Sequence, residues 1–319
     1  MPDPSIDILI PTCKPASSFE KLIECLEKQT VKPVNIRIIN TQKEWWEQRI
    51  DTGSFLKAHP TVKLEHIDPA EFDHGATRHR GMEQSQAEYV VCMTQDAMPA
   101  DMHLLEELLK PFADPGVAVS YARQLPAEDA SPIEIYTRSF NYPDENRVKG
   151  KEDIPQLGIK TYMCSNVCAM YRKDIYDRQG GFIRHTIFNE DMIYAAGVIQ
   201  KGYRIAYVAD ARVVHSHNYS GIQQFHRNFD LGVSQADHPE IFEAVPSESE
   251  GIKMVKQTAA YLCSHGKWYL LVKLIWQSGW KYLGYRAGKH YRKLSYKKIL
   301  RYTMNPNYWK QDVTAADTN

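Results

Sequence analysis

One local pattern, repeated through the first hundred residues, limits the folds open to this chain: a short strand-like stretch, apolar throughout or alternating, a polar stop, then helical spacing. Ile6–Ile10 ends at Pro11 and Thr12, Val34–Ile39 at Asn40 and Thr41, Val62–Ile67 at Asp68, and Tyr89–Met93 at Thr94, Gln95 and Asp96. Between the first two runs, Phe19, Leu22, Ile23 and Leu26 fall at i, i+3, i+4 and i+7, with Ser17 or Ser18 as a cap and Pro33 as a stop. Lys43–Leu56 reads as a second helix and Asp101–Phe112 as a third, with Leu104, Leu105, Leu108 and Leu109 facing inward. Strands alternating with helices build βαβ units and a mainly parallel sheet. Ligands of such sheets bind outside the carboxyl ends of the strands. Asp96, a carboxylate at a strand tip, is therefore the first candidate for ligand chemistry.

At 319 residues the chain can bury a full core, and its 43% apolar and 24% charged content argues against a disordered class. The formal net charge is zero but uneven: Lys267–Lys310 holds eleven Lys and Arg and no Asp or Glu, leaving 28 basic against 39 acidic residues elsewhere. Six cysteines, Cys13, Cys25, Cys92, Cys164, Cys168 and Cys263, lack the paired short spacings of a zinc site and read as buried reduced thiols. The opening MPDPSIDILIP has no basic region and no long apolar stretch, so no secretory leader is expected. No apolar run approaches the roughly 20 residues that span a bilayer. The expected location is cytoplasmic, soluble or peripherally bound to a membrane.

Further strands are predicted at Val117–Arg123, Tyr162–Tyr171, Arg204–Val208 and Ala211–Val214. Gln124–Lys160 lacks periodicity and carries four prolines, which suits a substrate-facing flap or a disordered insertion. Asp68–Gly81, DPAEFDHGATRHRG, runs from loop into helix. Its Gly75 is either a site of close ligand approach or a turn glycine, and Arg78 and Arg80 are either anion contacts or a solvated face. Glu190 and Asp191 open a helix capped by Asn189, where acids commonly complement the helix dipole. His215 and His217, two residues apart, point to the same side if the strand continues, and can ligate a metal.

Ile222–Gln235 reads as an amphipathic helix, acidic turns at Pro246–Gly251 as a boundary, and the chain from Ile252 as helical. There Trp268, Trp276, Trp280, Tyr282 and other aromatics interleave with lysines and arginines, as in a helix lying on an anionic membrane surface. A hairpin packed on the body, a dimer contact and a nucleic-acid face compete with that reading; membrane contact is preferred and no nucleic-acid partner is expected. The resulting division is residues 1–220, 221–310 and a disordered tail over 311–319.

Taken in order, IPT, FDHGATRHRG, TQDA, NEDM and HSH resemble the inverting family 2 glycosyltransferases of the GT-A fold, and HGATRHRG and TQDA look most like bacterial rhamnosyltransferases. The resemblance covers Ile6–Ser220. It implies a Rossmann-like α/β sheet flanked by helices, with a C-terminal helical extension outside its reach. It also implies that Pro11 and Thr12, with Asn40 or Thr41, line the nucleotide pocket and that Arg78 approaches the diphosphate. Gly75, beside it in the same loop, and Gln95, in the place where relatives often carry a second acid, complete the donor-binding candidates. Asp96 would be the carboxylate for Mg²⁺ or Mn²⁺, with His215 or His217 as a further metal or phosphate contact. Asp191 would be the general base, with Glu190 its rival.

These residue types suit the chemistry. A divalent ion neutralises charge building on a diphosphate leaving group, and Mg²⁺ needs few protein carboxylates because phosphates and water complete its shell. A positioned carboxylate takes the proton of the attacking hydroxyl. The expected reaction is transfer of L-rhamnose from dTDP-L-rhamnose to a cell-surface polysaccharide or lipid-linked glycan. Transfer of another hexose or N-acetylhexosamine, a sugar nucleotidyltransferase and a non-catalytic membrane module are the alternatives; homo-oligomers remain open. PTCKPASS after the first strand contains no glycine, which argues against a nucleotidyltransferase and a dinucleotide dehydrogenase.

Overall fold

The computed structural model describes residues 4–245 and 248–310. Its centre is a nine-stranded sheet. The strands are β1 (Ile6–Cys13), β2 (Asn35–Thr41), β3 (Val62–Ile67), β4 (Tyr89–Met93), β5 (Met98–Pro99), β6 (Val117–Leu125), β7 (Arg147–Lys149), β8 (Cys168–Arg172) and β9 (Arg204–Val214). Their order is β3-β2-β1-β4-β8-β6-β9-β5, with β7 also pairing β9. The β3-β2-β1-β4 half is parallel throughout, the signature of successive βαβ units. Alternation along β1 explains the layering: Ile6, Ile8 and Ile10 join a core with Phe19, Trp46 and Leu104 on one face, while Leu9 joins Met82, Tyr171 and Tyr176 on the other.

One reversal places the site. β8 is antiparallel to both β4 and β6, and β9 is parallel to β6. The carboxyl ends of β1, β4, β6 and β9 therefore lie at one edge of the sheet. The segment entering β8 lies there too, because Met93 at the end of β4 pairs with Cys168 at the start of β8. Residues 204–214 form one strand rather than two: the break expected after Val208 is a register shift, Ala122 pairing Val208 and Arg123 pairing Arg212.

Several local expectations change. The single helix over Lys43–Leu56 is two, Lys43–Glu47 and Thr52–Ala58, because Asp51 caps the second by accepting from the Ser54 amide. That break lets Trp46 sink into the core against Phe19 and Phe55, while Trp45 stays at the surface under the Lys14 amine. Gln124–Lys160 is not a disordered insertion. It contains the helix Pro132–Asn141, capped by Ser131, then β7 and short helical turns. Its elements are too short for periodicity to reveal, and Lys149 pins them by donating to Tyr121 Oη, Lys160 O and Met163 O. The strand expected over Tyr162–Tyr171 begins only at Cys168, since Gly158–Tyr162 is a 3-10 turn. Three of the six free cysteines are buried; Cys13 and Cys263 are exposed and Cys25 lies between.

The helices Gly221–Asp237 and Leu271–Lys289 cross at close range. A Cβ on Gly284 would stand 2.2 Å from the Phe225 carbonyl oxygen, so only glycine fits. Glu248–Ser264 is helical, so Glu248–Gly251 belong to a helix and not to the acidic turn expected there; Pro246 and Ser247, and the tail 311–319, lie outside the described residues. Gly284→Ala is expected to cost about 2 kcal/mol by overpacking a backbone contact. A thermal melt indistinguishable from wild type would show that the crossing has room to spare.

Candidate active site

At the tip of β4, Asp96 meets both histidines that follow β9. Asp96 Oδ1 lies 3.6 Å from His215 Nε2 and Oδ2 lies 3.4 Å from His217 Nε2, and the two Nε2 atoms are 3.0 Å apart. Bonds of about 2.1 Å to one divalent ion place ligand atoms roughly 3.0 Å apart at right angles and 3.4 Å apart at tetrahedral angles. The three side chains thus have the spacing of ligands to one ion. The imidazoles are in the state such an ion needs. His215 Nδ1 donates to Gln124 Oε1 at 3.0 Å, which leaves the lone pair on Nε2. Burial holds His215 down to about 3 and lowers His217, outweighing the opposite pull of Asp96. Two neutral rings directing Nε2 atoms at each other and at a carboxylate suit a shared cation.

Gln95 does something different. Its Oε1 accepts from the Cys13 amide at 3.0 Å and its Nε2 donates to the Cys13 carbonyl at 2.9 Å. It ties the end of β4 to the end of β1 and aims the next residue, Asp96.

The acidic pair splits into two environments. Glu190 is buried and held by Arg78 Nη1 at 3.2 Å and Asn166 Nδ2 at 3.1 Å. Arg78 also donates to the His74 carbonyl. Its guanidinium, expected at the diphosphate, is committed to Glu190. Asp191 remains reachable from solvent although protein surrounds it on most sides. Its oxygens accept from the Asn166 amide at 2.9 Å and the Met192 amide at 2.8 Å. Burial, then the charge of Glu190, push its pKa up to about 7 against those two N–H groups. Asn189 is no side-chain cap: at φ 65° its amide donates instead to Ser234 Oγ, which fastens this helix start to Gly221–Asp237.

Gln124, which the sequence offered no reason to single out, links the two clusters. Its Oε1 serves His215 and Arg138, while its Nε2 donates to Tyr142 Oη at 2.6 Å and Ser165 Oγ at 3.0 Å. Ser165 precedes Asn166, whose backbone holds Asp191. A short polar path therefore joins the histidines to the acid. The only sequence signal for it was the polar pair Ser165–Asn166 interrupting an apolar run. Arg227 was also missed: its guanidinium lies over the Phe188 ring at 4.7 Å, has Asp191 and Tyr219 as neighbours, and pairs with no carboxylate among the described residues.

The expected nucleotide residues change character. Thr12 and Asn40 are buried and bonded to each other at 3.1 Å, and the Asn40 amide donates to the Gln42 carbonyl and contacts His66 Nδ1. Both are occupied in the protein, and Thr41 is buried too. Pro11 and Trp45 are partly exposed, and Cys13 and Lys14, the latter with its amine over the Trp45 ring, are exposed beside them. Gly75 serves packing rather than ligand approach, since a Cβ there would lie 1.8 Å from the Ile183 carbonyl oxygen. Asp73 caps its helix by accepting from the Gly75 and Ala76 amides.

Comparison with known proteins identifies the family and the fold. Residues 7–180 match the family described as Glycosyl transferase family 2. The O-antigen chain rhamnosyltransferase WbaN of Salmonella anatum is 37% identical over 309 residues, covering 96% of each chain. The O-antigen chain rhamnosyltransferase RfbN of Salmonella typhimurium is 35% identical over 306 residues, covering 95% of this chain and 96% of its own. In fold the chain is similar to the mannosyltransferase PcManGT of Pyrobaculum calidifontis, solved with GDP-Man and Mn²⁺, with a TM-score of 0.61 at 15% identity over 91% of this chain and 88% of that one. A mixed α/β sheet with this order, one edge carrying the ligand-type residues, and near full-length kinship with two transferases converge on one assignment: the chain is a glycosyltransferase and belongs to glycosyltransferase family 2.

Proposed function

We propose that the protein is a metal-dependent, inverting rhamnosyltransferase that moves L-rhamnose from dTDP-L-rhamnose to a hydroxyl of a growing cell-surface polysaccharide or lipid-linked glycan. The observation that carries the reading is the meeting of Asp96, His215 and His217 at the sheet edge that also holds Asp191. The names of the two curated relatives support the sugar. Asp96, His215 and His217 would hold Mg²⁺ or Mn²⁺, which supplies Lewis-acid neutralisation of the diphosphate.

The chain's own groups do the rest. The acceptor oxygen attacks the anomeric carbon, the bond from that carbon to the diphosphate oxygen breaks with its electron pair leaving on dTDP, and Asp191 takes the acceptor proton. Attack opposite the leaving group inverts the anomeric centre. A base with a pKa near 7 is half ionised at neutral pH, which matches it to the task. Arg227, lacking an acidic partner among the described residues, supplies a positive charge near both Asp191 and the histidine pair. Glu190 keeps Arg78 neutralised and sets the first turn of the helix that carries Asp191.

A donor screen tests this. Purified nucleotide sugars are incubated with the protein, with and without Mn²⁺ or Mg²⁺, and nucleoside diphosphate release is followed. Release from dTDP-L-rhamnose should exceed release from UDP- and GDP-hexoses at least tenfold and stop in EDTA. Release from a UDP-hexose alone would sink the donor assignment, and pyrophosphate as product would sink the transferase reading.

A further inference from the structure

The Leu271–Lys289 helix has two unlike faces. At 100° per residue, Leu274, Lys281, Gly284 and Gly288 lie on the side packed into the protein, where Gly284 and Gly288 abut the Phe225 and Phe229 carbonyls. On the opposite side, Val272, Ile275, Trp276, Tyr282 and Leu283 share an arc of about 120°, and Trp268 extends it over the preceding turn. These six are 56–77% exposed. No helix among the described residues is long and apolar enough to cross a membrane. The stripe is a surface feature.

Charge accompanies it. Lys273 flanks the stripe on one side and Arg286 closes its carboxyl end, and both are exposed. Lys293, Lys297 and Lys298 follow at once, exposed as well, and residues 267–310 contain no Asp or Glu. The rest of the chain has acidic residues in excess, so cations and exposed tryptophans are concentrated in one segment. An apolar stripe bordered by lysine and arginine, with aromatics in the stripe, matches the layering of an anionic bilayer surface: acyl chains, the interfacial zone and phosphate.

We propose that this helix docks the enzyme on an anionic lipid bilayer, its stripe immersed in the headgroup and acyl boundary and its cations on lipid phosphates. The opposite face then sets where the cleft sits. Trp280, next to the buried face, packs against Gly221, which follows Tyr219 and the histidines by a few residues, and the crossing at Gly284 leaves no slack. Docking therefore holds the cleft at a fixed height above the membrane, suited to an acceptor saccharide carried on a lipid. The docking inference stands on surface chemistry and does not depend on which sugar is transferred.

The test uses the full chain and large vesicles of phosphatidylcholine alone or with one-third phosphatidylglycerol, read by co-sedimentation and the tryptophan emission maximum. Binding to the anionic vesicles should exceed binding to neutral ones at least tenfold, shift the emission to the blue, and weaken on raising salt from 0.1 to 0.5 M. Val272→Glu with Ile275→Glu should lower vesicle affinity at least tenfold while dTDP-L-rhamnose hydrolysis in solution and the melting temperature stay at wild-type values. These positions face solvent, so the fold does not depend on them. Failure to bind anionic vesicles, or equal binding by the double variant, overturns the proposal. So does a solution dimer that the same substitutions dissociate, because a second copy would then cover the stripe. Should the donor screen fail while vesicle binding survives, only the donor reading falls.

Discussion

Asp191→Asn is expected to lower kcat by about 10²- to 10⁴-fold with little change in dTDP-L-rhamnose affinity, the range that loss of a positioned base produces. The amide keeps one acceptor for a backbone N–H and roughly the same volume, so the helix start should persist, but it cannot take a proton. In the wild type, kcat should rise with pH through about 7 and level off above it, since the ionised form is the active one. The variant should lose that limb. A variant that keeps both near-normal turnover and the limb excludes Asp191 as base.

Linkage gives a second readout. The Asp191 pKa in the native state is raised, so the native protein binds this proton more tightly than the unfolded chain. Its contribution to stability is full at low pH and is lost as pH rises through about 7. Asp230, raised to about 7 chiefly by burial, acts with the same sign. Glu190 has a structural part instead, paired with Arg78. Glu190→Gln removes the charge opposite Arg78 inside the protein, and breaking such a buried pair costs about 3–5 kcal/mol. Loss of folding on one substitution and loss of turnover on its neighbour would separate the two acids.

Asp96→Ala should weaken Mn²⁺ binding in the presence of dTDP at least about 100-fold and reduce transfer at least about 10³-fold, because the Lewis-acid contribution amounts to several kcal/mol. Asp96 is about half-exposed, at 45% of its side chain, so the fold should not need it. Calorimetric titration with Mn²⁺ and dTDP reads the site without turnover. His215→Ala should weaken the ion similarly but also release Gln124 and Arg138, and so lower the melting temperature. Unchanged ion affinity in both variants would remove the cluster as a metal site.

The residues legible in the sequence share one property: each stands at one end of a recognisable local run. Asp96 ends an apolar strand, Asp191 opens a helix, and His215 and His217 end a strand two residues apart. Spacing locates such residues because strand and helix periods are local. Roles that depend on a partner far along the chain were not legible. Gly75 looked like a ligand glycine until Ile183 arrived beside it, and Arg78 looked like a phosphate contact until Glu190, over a hundred residues away, claimed it. Asn40 stands at the tip of β2 as expected, but its side chain is taken up by Thr12, Gln42 and His66.

By itself the sequence determined the alternation of strands and helices, the four residues at element ends and the basic aromatic segment near the carboxyl end. All are properties of neighbours in the chain, set by side-chain period and local charge. Tertiary structure decided which of two adjacent acids is ion-paired and which is held only by backbone amides. It decided that Gln124 joins histidines and base through Ser165 and Asn166, and which face of the Leu271–Lys289 helix meets solvent. Antiparallel β8 brings the ends of β4, β6 and β9 to one edge, and no local pattern encodes which strand will lie beside which. Burial and pairing, which set charge and reactivity, follow only from that placement.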